Sequence, residues 1–89
     1  MSLDEEFNKV AEEVKKLKSE PLKEDMLELY ALFKQATIGD CETEEASFFD
    51  FKGKAKREAW CKKKGMSQDE AKKLYIEKAN SLIASIGLS

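Results

Sequence analysis

The sequence predicts an all-α domain, a four-helix bundle. Apolar side chains recur at helical spacing in four separate segments. These segments are residues 3–17, 22–37, 51–64 and 68–86. Three of the four glycines, Gly39, Gly65 and Gly87, fall at segment ends, where a left-handed residue commonly terminates a helix. Because 89 residues make at most one domain, we expect residues 1–89 to form a single bundle.

Caps and apolar faces define the first two helices. Ser2 and Glu5 have the spacing of a capping box, which satisfies the first backbone donors of a helix. Pro21 fits the start of the second helix, where its missing N–H costs little. The apolar stripe of the first helix is Phe7, Val10, Ala11, Val14 and Leu17. The corresponding side of the second helix carries Met26, Leu29, Tyr30, Phe33 and Thr37.

The longest connection, residues 38–50, precedes the last two helices. We expect Phe48 and Phe49 to pin it to the bundle, and Asp50 suits the N-cap of the third helix. Ser67 and Glu70 repeat the capping-box spacing before the fourth helix. The apolar residues of these helices are Ala55, Ala59 and Trp60, then Ala71, Leu74, Tyr75, Leu82, Ile83 and Ile86.

The net charge of −2 hides an asymmetry along the chain. Residues 1–50 hold fourteen acids and six bases, or −8, whereas residues 51–89 hold four acids and ten bases, or +6. The basic excess is densest between Lys52 and Lys64, which suggests a local anionic partner. The same pattern also fits a solvated face paired with the acidic half.

The cysteines and the hydropathy pattern suggest a reducing compartment. Cys41 and Cys61 form no C-x-x-C pair, and no histidine exists to complete a zinc site. Because no signal peptide is visible, we expect both thiols to be reduced and the protein to be cytoplasmic. No apolar run approaches the roughly twenty residues of a membrane-spanning helix, so we expect no stable membrane insertion.

No catalytic constellation is visible in the sequence, although carboxylates are abundant. Without histidine, the commonest general base is absent and neither cysteine has an activating partner. The glycines occur singly and form no phosphate loop. Ser2, Ser19 and Ser67 lie at helix starts, but none has the Asp-Ser-Leu setting of a phosphopantetheine carrier. We therefore expect a binding protein without enzymatic activity, metal or cofactor.

Aromatic and basic residues suggest a nucleotide-binding face. Tyr30, Phe33 and Lys34 are spaced i, i+3 and i+4, so two rings and an ammonium share one face of the second helix. Lysines at positions 52, 56 and 63 share a face of the third. Rings stack on bases and ammonium groups hold phosphates. The same spacing also fits core aromatics and solvated lysines, and it does not distinguish a free nucleotide from RNA.

Four stretches closely resemble the acyl-CoA-binding protein family, also called the diazepam-binding inhibitor family. They read FNKVAEEVKKL (residues 7–17), YALFKQATIGD (30–40), DFKGKAKREAW (50–60) and KKGMSQDEAKKLYI (63–76). The resemblance follows the order and spacing of the family over nearly the whole chain. It implies a bundle of up-down-down-up topology that binds one medium- to long-chain fatty acyl-CoA without chemistry.

The resemblance also implies roles for individual residues. Tyr30 stacks near the adenine, Lys34 and Lys56 meet the phosphates, and Tyr75 closes over the head group. Phe33 stands where the family commonly has tyrosine, keeping the stacking and losing one hydroxyl. The remaining contact positions are Lys15 and Lys52, and the acyl groove is lined by Phe7, Met26 and Leu27.

Two further departures from the family concern the surface. Arg57 replaces a frequent tryptophan, and residues 45–47 replace an Arg-Pro-Gly run. We expect a monomeric carrier that buffers acyl-CoA and hands it to acyl-CoA-using enzymes, with no nucleic acid as partner. Two alternatives stay open: a small signalling or regulatory polypeptide acting through a protein partner, and nucleic-acid binding through residues 52–64.

Overall fold

The computed structural model describes residues 2–41 and 51–88, with the side chains of the third helix described from residue 54 onward. Its helices are α1 (Leu3–Val14), α2 (Lys23–Thr37), α3 (Phe51–Cys61) and α4 (Gln68–Ile86). The predicted all-α class and the four helices are confirmed. In these two ranges, no helix is long and apolar enough to cross a membrane.

The predicted helix caps are present. The Ser2 hydroxyl accepts from the backbone N–H of Glu5 at 3.2 Å, and the Ser67 hydroxyl accepts from that of Glu70 at 3.1 Å. The glycines at positions 39, 65 and 87 have φ of 101°, 95° and 88°. Gly39 and Gly87 follow the ends of α2 and α4, whereas Gly65 closes the turn after α3. Because residues with a Cβ rarely adopt these angles, glycine is the residue that suits such ends. The proposed N-cap Asp50 and the aromatics Phe48 and Phe49 lie outside the described residues.

The first helix ends at Val14, three residues before its predicted end at Leu17. The N–H of Leu17 bonds only three residues back, to the Val14 carbonyl at 3.4 Å, so the last turn is tightened. Leu17 then pairs with Leu88 in an isolated antiparallel bridge, and the Lys18 N–H donates to the Gly87 carbonyl at 2.9 Å. Pairing with the distant end of the chain therefore takes these residues out of the helix.

The other boundary differences are smaller. Leu22 is the N-cap of α2, which begins one residue later than predicted. The third helix ends at Cys61 instead of at residue 64. Beyond it, the Lys63 and Lys64 N–H groups bond to the carbonyls of Trp60 and Cys61, three residues back. A tight turn thus replaces the last predicted turn of α3.

Contacts at the helix ends show that α1 and α4 run parallel. Lys72 near the start of α4 pairs with Asp4 near the start of α1. Leu17 and Leu88, just beyond the ends of the two helices, pair with each other. These contacts align α1 with the part of α4 that follows Lys72.

The second helix runs antiparallel to α4. Asp25 near its start pairs with Lys78 in the second half of α4. Gln35 near its end donates from Nε2 to the carbonyl of Met66, just before α4, at 2.7 Å. The core lies where α4 meets α1 and α2. Its buried residues are Phe7, Val10, Leu29, Leu32, Ala36, Ala71, Tyr75, Ile76, Ala79 and Leu82.

The second helix buries a face that is shifted from the predicted one, with Leu29 common to both. Leu29, Leu32 and Ala36 are buried at i, i+3 and i+7 against α4. Met26 and Phe33, predicted on the apolar side, remain 46% and 37% exposed. The predicted side carries the candidate site, and the adjacent stripe carries the core.

A disulfide joins the ends of α2 and α3. Cys41, just beyond α2, is bonded to Cys61, the last residue of α3, with a Cα–Cα distance of 5.2 Å. The expectation of two reduced thiols is therefore wrong, because folding brings together residues that lie twenty positions apart. The bond places the C-terminal ends of α2 and α3 next to each other, as the predicted up-down-down-up order requires.

Candidate ligand site between the second and third helices

Two ammonium groups converge on the ring of Tyr30. Lys34, one turn further along α2, has its Nζ 5.7 Å from the ring centroid. Lys56 reaches the same ring from α3, with its Nζ at 5.4 Å. Both distances lie within the range of cation–π attraction. The structure thus brings together three residues that were predicted to bind a ligand.

The two ammonium groups at this ring have no carboxylate partner among the described residues. Lys63, Lys72 and Lys78 each form an ion pair with a carboxylate. Among the described residues, no carboxylate lies within 4.0 Å of the Nζ of Lys34 or Lys56. Two cations near one ring repel each other, and an anion with several charged oxygens would relieve that repulsion. The arrangement therefore suits a phosphate-bearing aromatic ligand.

Trp60 forms a second aromatic wall of this site. The Lys34 Nζ is 6.0 Å from its ring centroid. Its indole N–H donates to the Gly39 carbonyl at 2.8 Å, which ties the C-terminal end of α3 to the end of α2. Sequence reasoning assigned Trp60 only to helix packing. Its spacing carries no signal for this contact, because Gly39 belongs to another segment.

Phe7, Phe33 and Tyr75 form an aromatic cluster next to the site on α2. The ring centroids are 5.7 Å apart for Phe7 and Phe33, 5.0 Å for Phe7 and Tyr75, and 6.0 Å for Phe33 and Tyr75. Phe7 and Tyr75 are only 4% and 5% exposed, and burial raises the pKa of the Tyr75 hydroxyl. Phe33 is consequently the member that a ligand reaches most readily. The predicted ligand contacts of Phe7 and Tyr75 stay predictions.

A cleft of about 390 Å³ lies between the end of α1 and the start of α2. It is lined by Val14, Lys15, Leu17, Lys18, Ser19, Glu20, Pro21, Met26 and Leu29. Of the predicted residues, Lys15 and Met26 are among them, whereas Leu27 is half-buried and does not line this cleft. The sequence indicated Val14 and Leu17 only as core. The cleft combines apolar walls with two lysines.

The cleft and the charged ring share one face of α2. Met26 in the cleft and Tyr30 are four residues apart, and such residues are neighbours on a helix, about 6 Å apart along its axis. An anionic head at Tyr30 and an apolar tail at Met26 can therefore belong to one molecule. The backbone of Lys52 lies in α3, but its predicted contact falls on a side chain outside the described part of the structure.

Comparisons with known proteins, by family profile, by sequence and by structure, all point to one family. The family profile described as acyl CoA binding protein matches residues 4–79. An acyl-CoA-binding protein homolog of Manduca sexta is 54% identical over 89 residues, covering 99% of each chain. Acyl-CoA-binding protein homolog 1 of Caenorhabditis elegans is 48% identical, covering 91% of this chain and 94% of its own. The crystal structure of acyl-CoA-binding protein 2 of Oryza sativa superposes with a TM-score of 0.87 at 40% identity, covering 93% and 90%.

Proposed function

This chain belongs to the acyl-CoA-binding protein family, and we propose that it binds medium- to long-chain fatty acyl-CoA esters and carries them without transforming them. The observation that carries the proposal is the pair of lysines at the Tyr30 ring, which have no carboxylate partner among the described residues and lie one helical turn from the cleft residue Met26. An acyl-CoA has an aromatic base, several phosphate charges and a long apolar tail. Each part has a counterpart on this face of the protein.

The head group is proposed to lie between α2 and α3. The adenine stacks near Tyr30, and Lys34 and Lys56 donate to the phosphates, including the ribose 3′-phosphate. Hydrogen bonds to charged groups contribute about 1.5–3 kcal/mol each. Two such lysines therefore suffice to orient the head, and Lys15 and Lys52 are proposed as further contacts.

The acyl tail is proposed to follow the face of α2 towards the cleft, past Met26, with Phe7 and Leu27 as further lining residues. Each buried methylene contributes about 0.8 kcal/mol, so ten of them contribute roughly 8 kcal/mol. Association costs at least about 4 kcal/mol. The tail should therefore separate weak ligands from tight ones.

Calorimetric titration with palmitoyl-CoA and with free CoA tests the proposal. We expect the ester to bind at least 100-fold more tightly, because even half of the roughly 8 kcal/mol for ten methylenes corresponds to more than two decades in affinity. Equal affinities would remove the acyl groove from the proposal. Recovery of the ester unchanged after incubation, measured by mass spectrometry, tests transport without catalysis.

The cellular setting is proposed from the family and the fold. We propose that residues 1–89 act as one monomeric, cytoplasmic domain that passes acyl-CoA to enzymes using it, with neither a cofactor nor a nucleic acid as partner. A reducing cytoplasm disfavours stable disulfides. The redox state of Cys41 and Cys61 in cells therefore tests the proposed cytoplasmic location. Cell fractionation with thiol trapping, and size exclusion for the oligomeric state, decide these points.

A further inference from the structure

We infer that the Cys41–Cys61 disulfide couples the redox state of the protein to the affinity of the head-group site, so that a dithiol reductant weakens binding. The inference rests on the proposed function, because the ligand whose affinity changes is acyl-CoA. It concerns the relative placement of α2 and α3, between which the site is divided.

Among the described residues, the third helix packs against α2 and against neither α1 nor α4. None of its described side chains is buried, and none belongs to the core cluster. Half-buried side chains such as those of Ala59 and Trp60 gain less free energy from packing than fully buried ones. The position of α3 therefore depends in larger part on the specific contacts that hold it to α2.

Several described contacts hold the C-terminal end of α3, and the turn after it, to α2. The Trp60 indole donates to the Gly39 carbonyl, and Lys63 pairs with Glu28. In the turn after α3, the Gly65 N–H donates to the Asp40 carboxylate, and the Met66 carbonyl accepts from the Gln35 amide. These non-covalent contacts are exposed or partly exposed to solvent, where such interactions contribute about 0.2–1.5 kcal/mol each. The disulfide is covalent and is thus the strongest single constraint on this end of the helix.

The constraint acts directly on the site. Lys56 lies five residues before Cys61, or about 7.5 Å along the helix axis. Tyr30 and Lys34 belong to α2, so only the docking of α3 brings the third group to the ring. A site whose halves are already in place loses less conformational freedom on binding. Breaking the disulfide lets α3 move relative to α2. A ligand must then restrict that movement when it binds, and this entropic cost lowers its affinity.

The reduction is a thiol–disulfide exchange with a dithiol such as dithiothreitol. Cys61 is half-buried whereas Cys41 is buried, so the thiolate of the reductant attacks the Cys61 Sγ and the Cys41 thiolate leaves. The second thiolate of the reductant then attacks its own sulfur in the mixed disulfide and releases Cys61. Two electrons and two protons pass to the cysteines, and the reductant is oxidised to its cyclic disulfide.

The test compares free CoA and palmitoyl-CoA on the oxidised and the reduced wild-type chain. Intact mass verifies the gain of two hydrogens, and circular dichroism verifies helicity. We expect reduction to weaken both ligands by the same factor, about fivefold, the lower end of typical couplings between sites. Equal loss is expected because the change lies at the head, which both ligands share. The matched control, Cys41→Ser with Cys61→Ser, should bind like the reduced chain whether or not reductant is present.

Several outcomes would overturn the inference. A chain that keeps free thiols after exposure to oxidised glutathione, or a reduced chain with unchanged affinity for both ligands, excludes the coupling. Loss confined to palmitoyl-CoA would assign the effect to the cleft, and loss of helicity on reduction would assign it to folding. If the oxidised chain binds palmitoyl-CoA no better than CoA, the proposed carrier function fails first. If it does discriminate but ignores reductant, only the redox inference fails.

Discussion

The Lys56 ammonium lies 5.4 Å from the centre of the Tyr30 ring, although the two residues belong to different helices. No described carboxylate offsets this charge. An exposed ammonium held against a ring without a counter-ion is a group poised for an anionic ligand. The relationship defines the head-group end of the candidate site and motivates the first prediction.

Replacing Lys56 by alanine should weaken CoA and palmitoyl-CoA binding about 10- to 100-fold, since a charge-assisted hydrogen bond contributes roughly 1.5–3 kcal/mol. Titration calorimetry measures the loss. Lys54→Ala is the matched control, because Lys54 is an exposed lysine of the same helix that is not among the cations at the Tyr30 ring. If the Lys56→Ala chain loses helicity in step with affinity, the residue is structural and its assignment to the phosphates is wrong.

Phe33→Tyr should bind palmitoyl-CoA at least as tightly as the wild type. The ring is 37% exposed, so an added hydroxyl can reach solvent or ligand and restores a donor at the position where the family commonly has tyrosine. Phe7→Tyr provides the contrast. Phe7 is buried, and an unsatisfied hydroxyl there should lower the free energy of unfolding by about 1–3 kcal/mol in urea titration. A large affinity loss in Phe33→Tyr would count against the proposed pose.

Gly87→Ala should destabilise the protein by about 1–3 kcal/mol, because its backbone region is nearly restricted to glycine. Gly87 has φ 88° and ψ 159°. An added Cβ would come no closer than 3.6 Å to the Lys18 side chain, so the cost is conformational and not a clash. Thermal unfolding measures it, with the exposed α4 substitution Ser85→Ala as control. If both variants melt at the same temperature, the turn at position 87 adopts another conformation without cost, and the prediction is wrong.

The Gly87 variant should also affect the cleft. The Gly87 carbonyl accepts from the Lys18 N–H, and Lys18 lines the cleft. We expect a greater loss of affinity for palmitoyl-CoA than for free CoA in this variant. If palmitoyl-CoA and free CoA lose affinity by the same factor, the C-terminal turn does not influence the site of the acyl tail.

Asp40 should make stability depend on pH below about 4. Hydrogen bonds from the Gly65 N–H, chiefly, and from the Gln35 amide hold the pKa of Asp40 below its usual 3.8. A lowered folded-state pKa contributes stability that is complete above the unfolded pKa and is lost as pH falls through the folded one. Asp40→Asn should therefore flatten the stability profile between pH 4 and pH 2, measured by urea titration. Glu77→Gln, at an exposed position on α4, is the control and should leave that slope intact.

Prediction from the sequence succeeded where the relevant partners are close along the chain. The capping pair at Ser2 and Glu5 spans three residues, and Tyr30 and Lys34 span four, so spacing alone indicates both. The ends of α1 and α3 were predicted three residues too far. After the end of α1, Leu17 pairs with the distant Leu88, and α3 ends at Cys61, which is bonded to Cys41. No local pattern shows either partner.

Distance along the chain also decides which features of the site the sequence reveals and which arise only on folding. Helical periodicity, caps and the absence of histidine lead to a non-catalytic four-helix domain with a basic, aromatic face, and the matched motifs lead to its family. The docking of Lys56 on Tyr30, the Trp60–Gly39 bond, the disulfide and the cleft between α1 and α2 arise only in the folded chain. Spacing constrains neighbours on one helix, whereas contacts between helices depend on which faces the core leaves exposed after it has formed.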